Sequence, residues 1–160
     1  MTGTTARVPH AATGDCEAIR LGFIGQPINT ATSLSYIVGA AIVARKGTSR
    51  RRLWAGALIA LGVGSIGYHG PGRRPGKLLH DVSLPLAGMV AAAGTTRPNC
   101  YSRLTASLCV TAGCVWVVSR TDSPLCRPTS RWQWHGLWHV VSATAVTTRA
   151  LGERGRECAD

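Results

Sequence analysis

The sequence predicts an all-α fold, a polytopic transmembrane helix bundle of about five spans. Three observations carry that expectation. Hydrophobic residues make up 45% of the 160-residue chain and charged residues 16%, against about 25% charged in an ordinary soluble domain. The apolar residues gather into five stretches nearly free of charge, with basic residues between them. Those stretches are rich in Gly, Ala, Ser and Thr, the small residues that let helices pack closely in lipid. Buried helices of a soluble fold would need polar faces, and these five show almost none. Mean hydropathy is a modest +0.10, so the expectation rests on the segments and not on the average.

The first segment, residues 26–44, stops at Arg45 and Lys46. The second, 53–68, follows Arg50, Arg51 and Arg52; the third, 78–94, holds one acid, Asp81, near its start. The fourth covers 104–119 and the fifth 132–148. Each is close to the lower limit of about 17 residues for crossing a bilayer core. The chain thus divides into an extramembrane segment (1–25), a helical bundle (26–151) and a short charged tail (152–160). No apolar run precedes residue 26, so the N-terminus does not read as a cleaved signal peptide, and the first span serves as an uncleaved insertion signal. With the 45–52 connection cytoplasmic, that side carries ten Lys/Arg (Lys46, Arg97, Arg154 and Arg156 among them) against eight opposite, Arg7 included. The positive-inside rule therefore leans toward an outside N-terminus.

A net charge of +11 suggests nucleic acid, an acidic partner or a membrane surface. The Arg50, Arg51 and Arg52 cluster has no reading helix or stacking aromatic array beside it, so nucleic acid is not expected. A topology signal and a contact for anionic lipid head groups is the reading preferred. Cys109 and Cys114 fall mid-span, as small packing residues. Cys16 and Cys126 fall on the same side of the bundle, placed to form a disulfide if that side is oxidising. Trp132, Trp134 and Trp138 read as an interfacial belt, and His10 receives no role.

Ionisable groups inside spans are expensive and by default functional. Ser65 and His69 close the second segment four residues apart, hence on one helical face. His80 and Asp81 open the third; His135 and His139, again at i and i+4, open the fifth. Because spans alternate in direction, these ends meet at one leaflet, joined there by Asn29. Three imidazoles with a carboxylate and a hydroxyl suit a catalytic zinc, which takes three nitrogens and keeps one position open. Bound water then ionises near pH 7. Asp81 is the expected general base, and Ser65 orients water or donates to the oxyanion. His80 is expected to make a helix–helix hydrogen bond.

Three blocks resemble the alkaline ceramidase family, within the membrane hydrolase superfamily that includes the adiponectin and progestin receptors. They are Asp15-Cys16-Glu17 followed by Gln26-Pro27-Ile28-Asn29-Thr30; Ser65-Ile66-Gly67-Tyr68-His69 followed by Asp81; and His135-Gly136-Leu137-Trp138-His139. The resemblance implies zinc on His69, His135 and His139, with Asp81 and Ser65 holding the water. It also implies hydrolysis of the amide bond of a ceramide-like lipid to a fatty acid and a long-chain base. The family has seven spans where five are counted here. Its eukaryotic enzymes bind calcium near the N-terminus through several acids; here Asp15, Glu17 and Asn29 stand in that region, with Gln26 where an acid is expected. That weakens the calcium site and leaves a structural polar role for the three. Two Lys against sixteen Arg fits a GC-rich bacterial genome and thus a bacterial cell membrane. The alternative of another class is a metal-binding receptor or scaffold of the superfamily without catalysis; a small transporter ranks last.

Overall fold

The computed structural model describes residues 10–45, 48–92 and 100–152. Arg7, Lys46, Arg97, Arg154, Arg156 and the tail beyond residue 152 lie outside the described residues. The described chain is all-helical, with elements α1 (Pro27–Thr32), α2 (Leu34–Ala44), α3 (Ser49–His69), α4 (Arg74–Ala92), α5 (Cys100–Val118) and α6 (Trp134–Gly152). α1 and α2 run on as one rod through Ser33, whose backbone remains helical (φ −61°, ψ −21°). Thr30, Thr32 and Ser33 each turn their hydroxyl back onto the carbonyl four residues earlier, a bond that competes with the helix ladder there. Five rods thus correspond to the five apolar segments, although α3 begins four residues earlier than its segment and takes the arginine cluster into its first turns.

Helix starts follow from local chemistry. Pro27 occupies the first turn of α1, where its missing N–H costs nothing. The Glu17 carboxylate accepts the backbone N–H groups of Ile28 and Asn29, both at 2.8 Å. Thr48 caps α3 by accepting the Arg51 N–H. Arg51, expected at lipid head groups, is instead buried and donates to the Leu151 carbonyl at the far end of α6 (3.3 Å), where a cation complements the helix dipole.

α3 and α6 are the inner helices. α3 packs against α4 and α2, and α6 against α5, α2 and α1. Tyr36, Val43, Trp54, Leu58, Leu61 and Ala143 fill the space between α2, α3 and α6. Ala112, Val115 and Trp138 join α5 to α6. The α3–α4 contact is backbone on backbone. A Cβ on Gly64 would sit 2.6 Å from the His80 nitrogen, and one on Gly67 would meet Gly76 at 3.0 Å. Only glycine permits that approach, and it brings His80 beside the end of α3.

The outer faces are apolar. Leu34, Val38 and Ile42 form an exposed i, i+4 stripe on α2, and Val82, Leu86 and Met89 form an exposed i, i+4, i+7 stripe on α4. Cys109 and Cys114 are also exposed, so they do not pack the interior as expected. Among the described residues, one helical stretch, Pro27–Ala44, is long and apolar enough by itself to cross a membrane; Arg103–Val118 is a shorter apolar helix.

Residues 10–25 form a strap over the helix ends. His10 bonds the Gly70 carbonyl (3.1 Å) and packs against Gly25 and Gly72, so it has a structural role that the sequence did not suggest. Cys16 N–H donates to the Ser119 carbonyl, Asp15 bridges antiparallel to Arg120, and Gln26 N–H donates to the His69 carbonyl. A disulfide between Cys16 and Cys126 ties the strap to the α5–α6 connection across 110 residues.

Candidate metal centre

The antiparallel packing of α3 and α6 sets the last turn of one beside the first turn of the other. His69 therefore meets His135 and His139, which share one face of α6. Ring centroids lie 4.9 Å (His69–His135), 5.0 Å (His69–His139) and 4.7 Å (His135–His139) apart. One nitrogen from each lies within 4.8 Å of the others, and all three residues are buried. Around an ion held at about 2.0–2.1 Å from each nitrogen, tetrahedral neighbours are about 3.3 Å apart. A small closing of the rings reaches that spacing.

Hydrogen bonds decide which nitrogens face inward. His69 Nδ1 lies 2.7 Å from Gln26 Oε1, which can only accept. Gln26 is itself held, since its amide nitrogen donates to the carbonyls of Ala12 (3.0 Å) and Glu17 (2.8 Å). His135 Nδ1 lies 3.2 Å from Ser119 Oγ, whose proton goes to the Trp116 carbonyl. His139 Nδ1 lies 3.0 Å from Thr32 Oγ1, whose proton goes to the Ile28 carbonyl. Each Nδ1 thus carries the hydrogen, and each Nε2 turns a lone pair inward. The Nε2 atoms of His69 and His135 are buried without a protein partner.

Ser65 completes the centre. Its hydroxyl lies 2.8 Å from Ser33 Oγ and 3.2 Å from His139 Nε2. Ser33 already donates to the Asn29 carbonyl, so one proton serves two contacts. Three buried lone pairs that share at most the one Ser65 proton are an arrangement that a cation relieves. The donors fit a transition metal, and the outer hydrogen bonds hold their tautomers as metal ligands require. Three buried histidines close together could therefore hold a metal ion.

Asp81 is not brought to this centre. Its side chain is 48% exposed and pairs with Lys77 and with His80 Nδ1 (3.2 Å). A step of one residue turns about 100° around a helix, so with His80 facing inward Asp81 faces out. The carboxylate that does approach comes from the strap. Asp15, buried, has Oδ1 3.4 Å from His135 Nδ1 and Oδ2 3.9 Å from His69 Nδ1, while Arg120 donates to Oδ1 at 2.7 Å. Burial pushes the Asp15 carboxyl up to about 6, against the pull of the Arg120 guanidinium.

Asp15, Glu17 and Asn29 do not assemble an oxygen site for calcium. Asp15 is drawn to Arg120 and the imidazoles, Glu17 caps α1, and Asn29 donates to Gln26 Oε1 (3.3 Å). Burial raises the Glu17 carboxyl, although the two backbone N–H groups oppose it. Trp138 departs from the belt as well. It is buried, with its ring 5.1 Å from His135 and 5.4 Å from His139, whereas Trp132 remains exposed.

Sequence reasoning missed Gln26, Thr32, Ser119 and the second role of Asp15. Each of the first three is a polar residue in an apolar segment, Gln26 and Ser119 at its ends and Thr32 near its start, the same signal that singled out Ser65. Comparison with protein-family models, curated proteins and solved structures finds no match to this chain.

Proposed function

We propose that this chain is an integral-membrane, zinc-dependent hydrolase that cleaves the amide bond of a ceramide-like lipid. The single observation behind this reading is the convergence of three Nδ1-anchored imidazoles, whose Nε2 lone pairs lack protein donors at His69 and His135. Such a set leaves one position open for chemistry. The membrane part draws on helix dimensions and surface. α3 has 21 residues and α4, α5 and α6 have 19 each, about 28–31 Å at 1.5 Å per residue, against a hydrocarbon core of about 30 Å. Exposed apolar side chains line α3 (Leu53, Ile59, Val63), α4 (Leu78, Val82, Leu86, Met89) and α5 (Leu104, Val110, Val117).

Zinc bound there supplies Lewis acidity and lowers the pKa of water to about 7. The rest is done by the chain. Gln26, Ser119 and Thr32 hold the imidazoles in the ligating tautomer. Ser65 directs its hydroxyl at the same point and donates to the oxygen that gains charge as water adds to the amide carbonyl. The carbon–nitrogen bond then breaks, and the amine leaves with a proton as the long-chain base while the fatty acid keeps the water oxygen. A groove of about 380 Å³, lined by Ile28, Thr32, Trp132, Gly136, Leu137 and Val140, runs beside the Thr32–His139 bond. It suits an acyl chain, with Arg131 at its rim.

The test is elemental analysis of detergent-purified protein together with ceramide hydrolysis in mixed micelles. One zinc per chain is expected, lost in His139→Ala, and hydrolysis is expected to fall to background in His135→Ala. Ser65→Ala should keep the metal and turn over more slowly. Full hydrolysis by His135→Ala would refute the reading. The outward turn of Asp81 favours one second reading, a metal-binding receptor or scaffold without catalysis. Zinc-loaded protein that hydrolyses no lipid amide would select it.

A further inference from the structure

One buried imidazole beside the centre is unused by that mechanism. His80 is 8% exposed, and its ring stacks on Tyr68 at 4.9 Å between centroids. Its centroid is 6.2 Å from that of His69. His80 nonetheless stands outside the group of three whose nitrogens fall within 4.8 Å of one another. Direct ligands of one ion need about 3.3 Å between nitrogens. His80 is thus too far to ligate with them and near enough to reach a molecule bound among them.

The two edges of the ring have different surroundings. Nδ1 is held by Asp81 Oδ1 at 3.2 Å, and Asp81 is anchored at the surface by Lys77. Nε2, on the other side, is buried and has no protein partner. A carboxylate can only accept, so the Nδ1 hydrogen belongs to that bond and Nε2 presents a lone pair. A buried acceptor without a donor carries an uncompensated desolvation cost, which a ligand hydrogen would offset. Lys77, Asp81 and His80 form a chain of contacts from the exposed face of α4 to the edge of the centre.

We propose that His80 Nε2 accepts a hydrogen bond from the molecule filling the open position of the three-histidine centre, and that Asp81 is the positioning residue that holds the His80 tautomer. This rests on the metal-centre reading. It assigns Asp81 an indirect part, through the ring that its own helix turns inward.

Cobalt-loaded protein, titrated with acetohydroxamate and separately with thiocyanate, tests it through the visible cobalt spectrum. Acetohydroxamate can donate an N–H to His80, and thiocyanate has no hydrogen to give. His80→Ala is expected to keep one cobalt, to bind acetohydroxamate about tenfold more weakly, and to bind thiocyanate as the wild type does; one lost hydrogen bond of about 1.4 kcal/mol is tenfold. His80→Gln, which returns an amide acceptor, should recover most of the loss, and Asp81→Asn should weaken acetohydroxamate about threefold. Unchanged acetohydroxamate affinity in His80→Ala would overturn the inference. So would loss of cobalt from that variant alone, which would make His80 a ligand, or an equal loss for both probes, which would mean a general distortion. A wild type that binds no cobalt removes the metal centre itself, and this inference with it.

Discussion

Replacing Gln26 by alanine separates the support of the centre from the centre itself. Gln26 is fully buried, and its amide makes four hydrogen bonds: Oε1 accepts from His69 Nδ1 at 2.7 Å and from Asn29 Nδ2 at 3.3 Å, and Nε2 donates to the carbonyls of Ala12 at 3.0 Å and Glu17 at 2.8 Å. The substitution removes all four and leaves a buried imidazole N–H without an acceptor. At about 1 kcal/mol for each net hydrogen bond, the cost to the metal-free fold is about 4 kcal/mol. Metal affinity should suffer separately, because His69 loses the bond that sets its tautomer and ring angle. Loss of such a partner typically weakens binding about 10- to 100-fold. Thermal unfolding of metal-free protein reads the first effect, and chelator competition below the unfolding range reads the second. Gln26→Glu keeps an acceptor for Nδ1 but loses the donor to both carbonyls, so it should retain more affinity than alanine at comparable instability. Wild-type metal affinity in Gln26→Ala would refute the claim that Nδ1 anchoring aims the lone pairs.

Three further expectations follow from particular contacts. Gly64→Ala places a methyl 2.6 Å from the His80 backbone nitrogen and 2.9 Å from its Cα, so α4 must move. Unfolding should show a loss of about 1–3 kcal/mol with the metal retained, since the three ligands lie on α3 and α6. Cys126→Ser removes the cross-link to Cys16 over 110 residues; the thermal midpoint should drop by the equivalent of about 2–5 kcal/mol, and reductant should then have no further effect. Glu17→Ala leaves the first N–H groups of α1 without their acceptor and should cost about 1–2 kcal/mol, whereas Glu17→Gln, which still accepts one of them, should cost less.

The helical class and the meeting of Ser65, His69, His135 and His139 were legible because both follow from periodicity. An i, i+4 pair shares a face wherever its helix goes, and antiparallel rods bring alternate ends together. The disulfide was open to the same reasoning, since Cys16 and Cys126 fall at one end of the bundle. Asp81 was misjudged because residues 80 and 81 differ only in rotation about α4. The close passage of Gly64 and Gly67 past His80 and Gly76 sets that rotation, and no local pattern records it. Arg51 and Trp138 were misread for a related reason. A basic cluster and a tryptophan run look alike at a lipid surface and at a helix contact until the neighbour is known.

The sequence alone determined where helices form and which ends share a layer, because apolar runs and residue spacing act through short-range geometry. Tertiary structure alone decided which acid reaches the histidines. Asp15 arrives on a strap more than fifty residues before His69, held by backbone bonds to Ser119, Gly70 and His69. It also decided the direction of each lone pair, which depends on acceptors at Gln26, Thr32 and Ser119 drawn from separate elements. Contacts of that kind exist only after packing has brought distant polar groups out of water and made each find a partner.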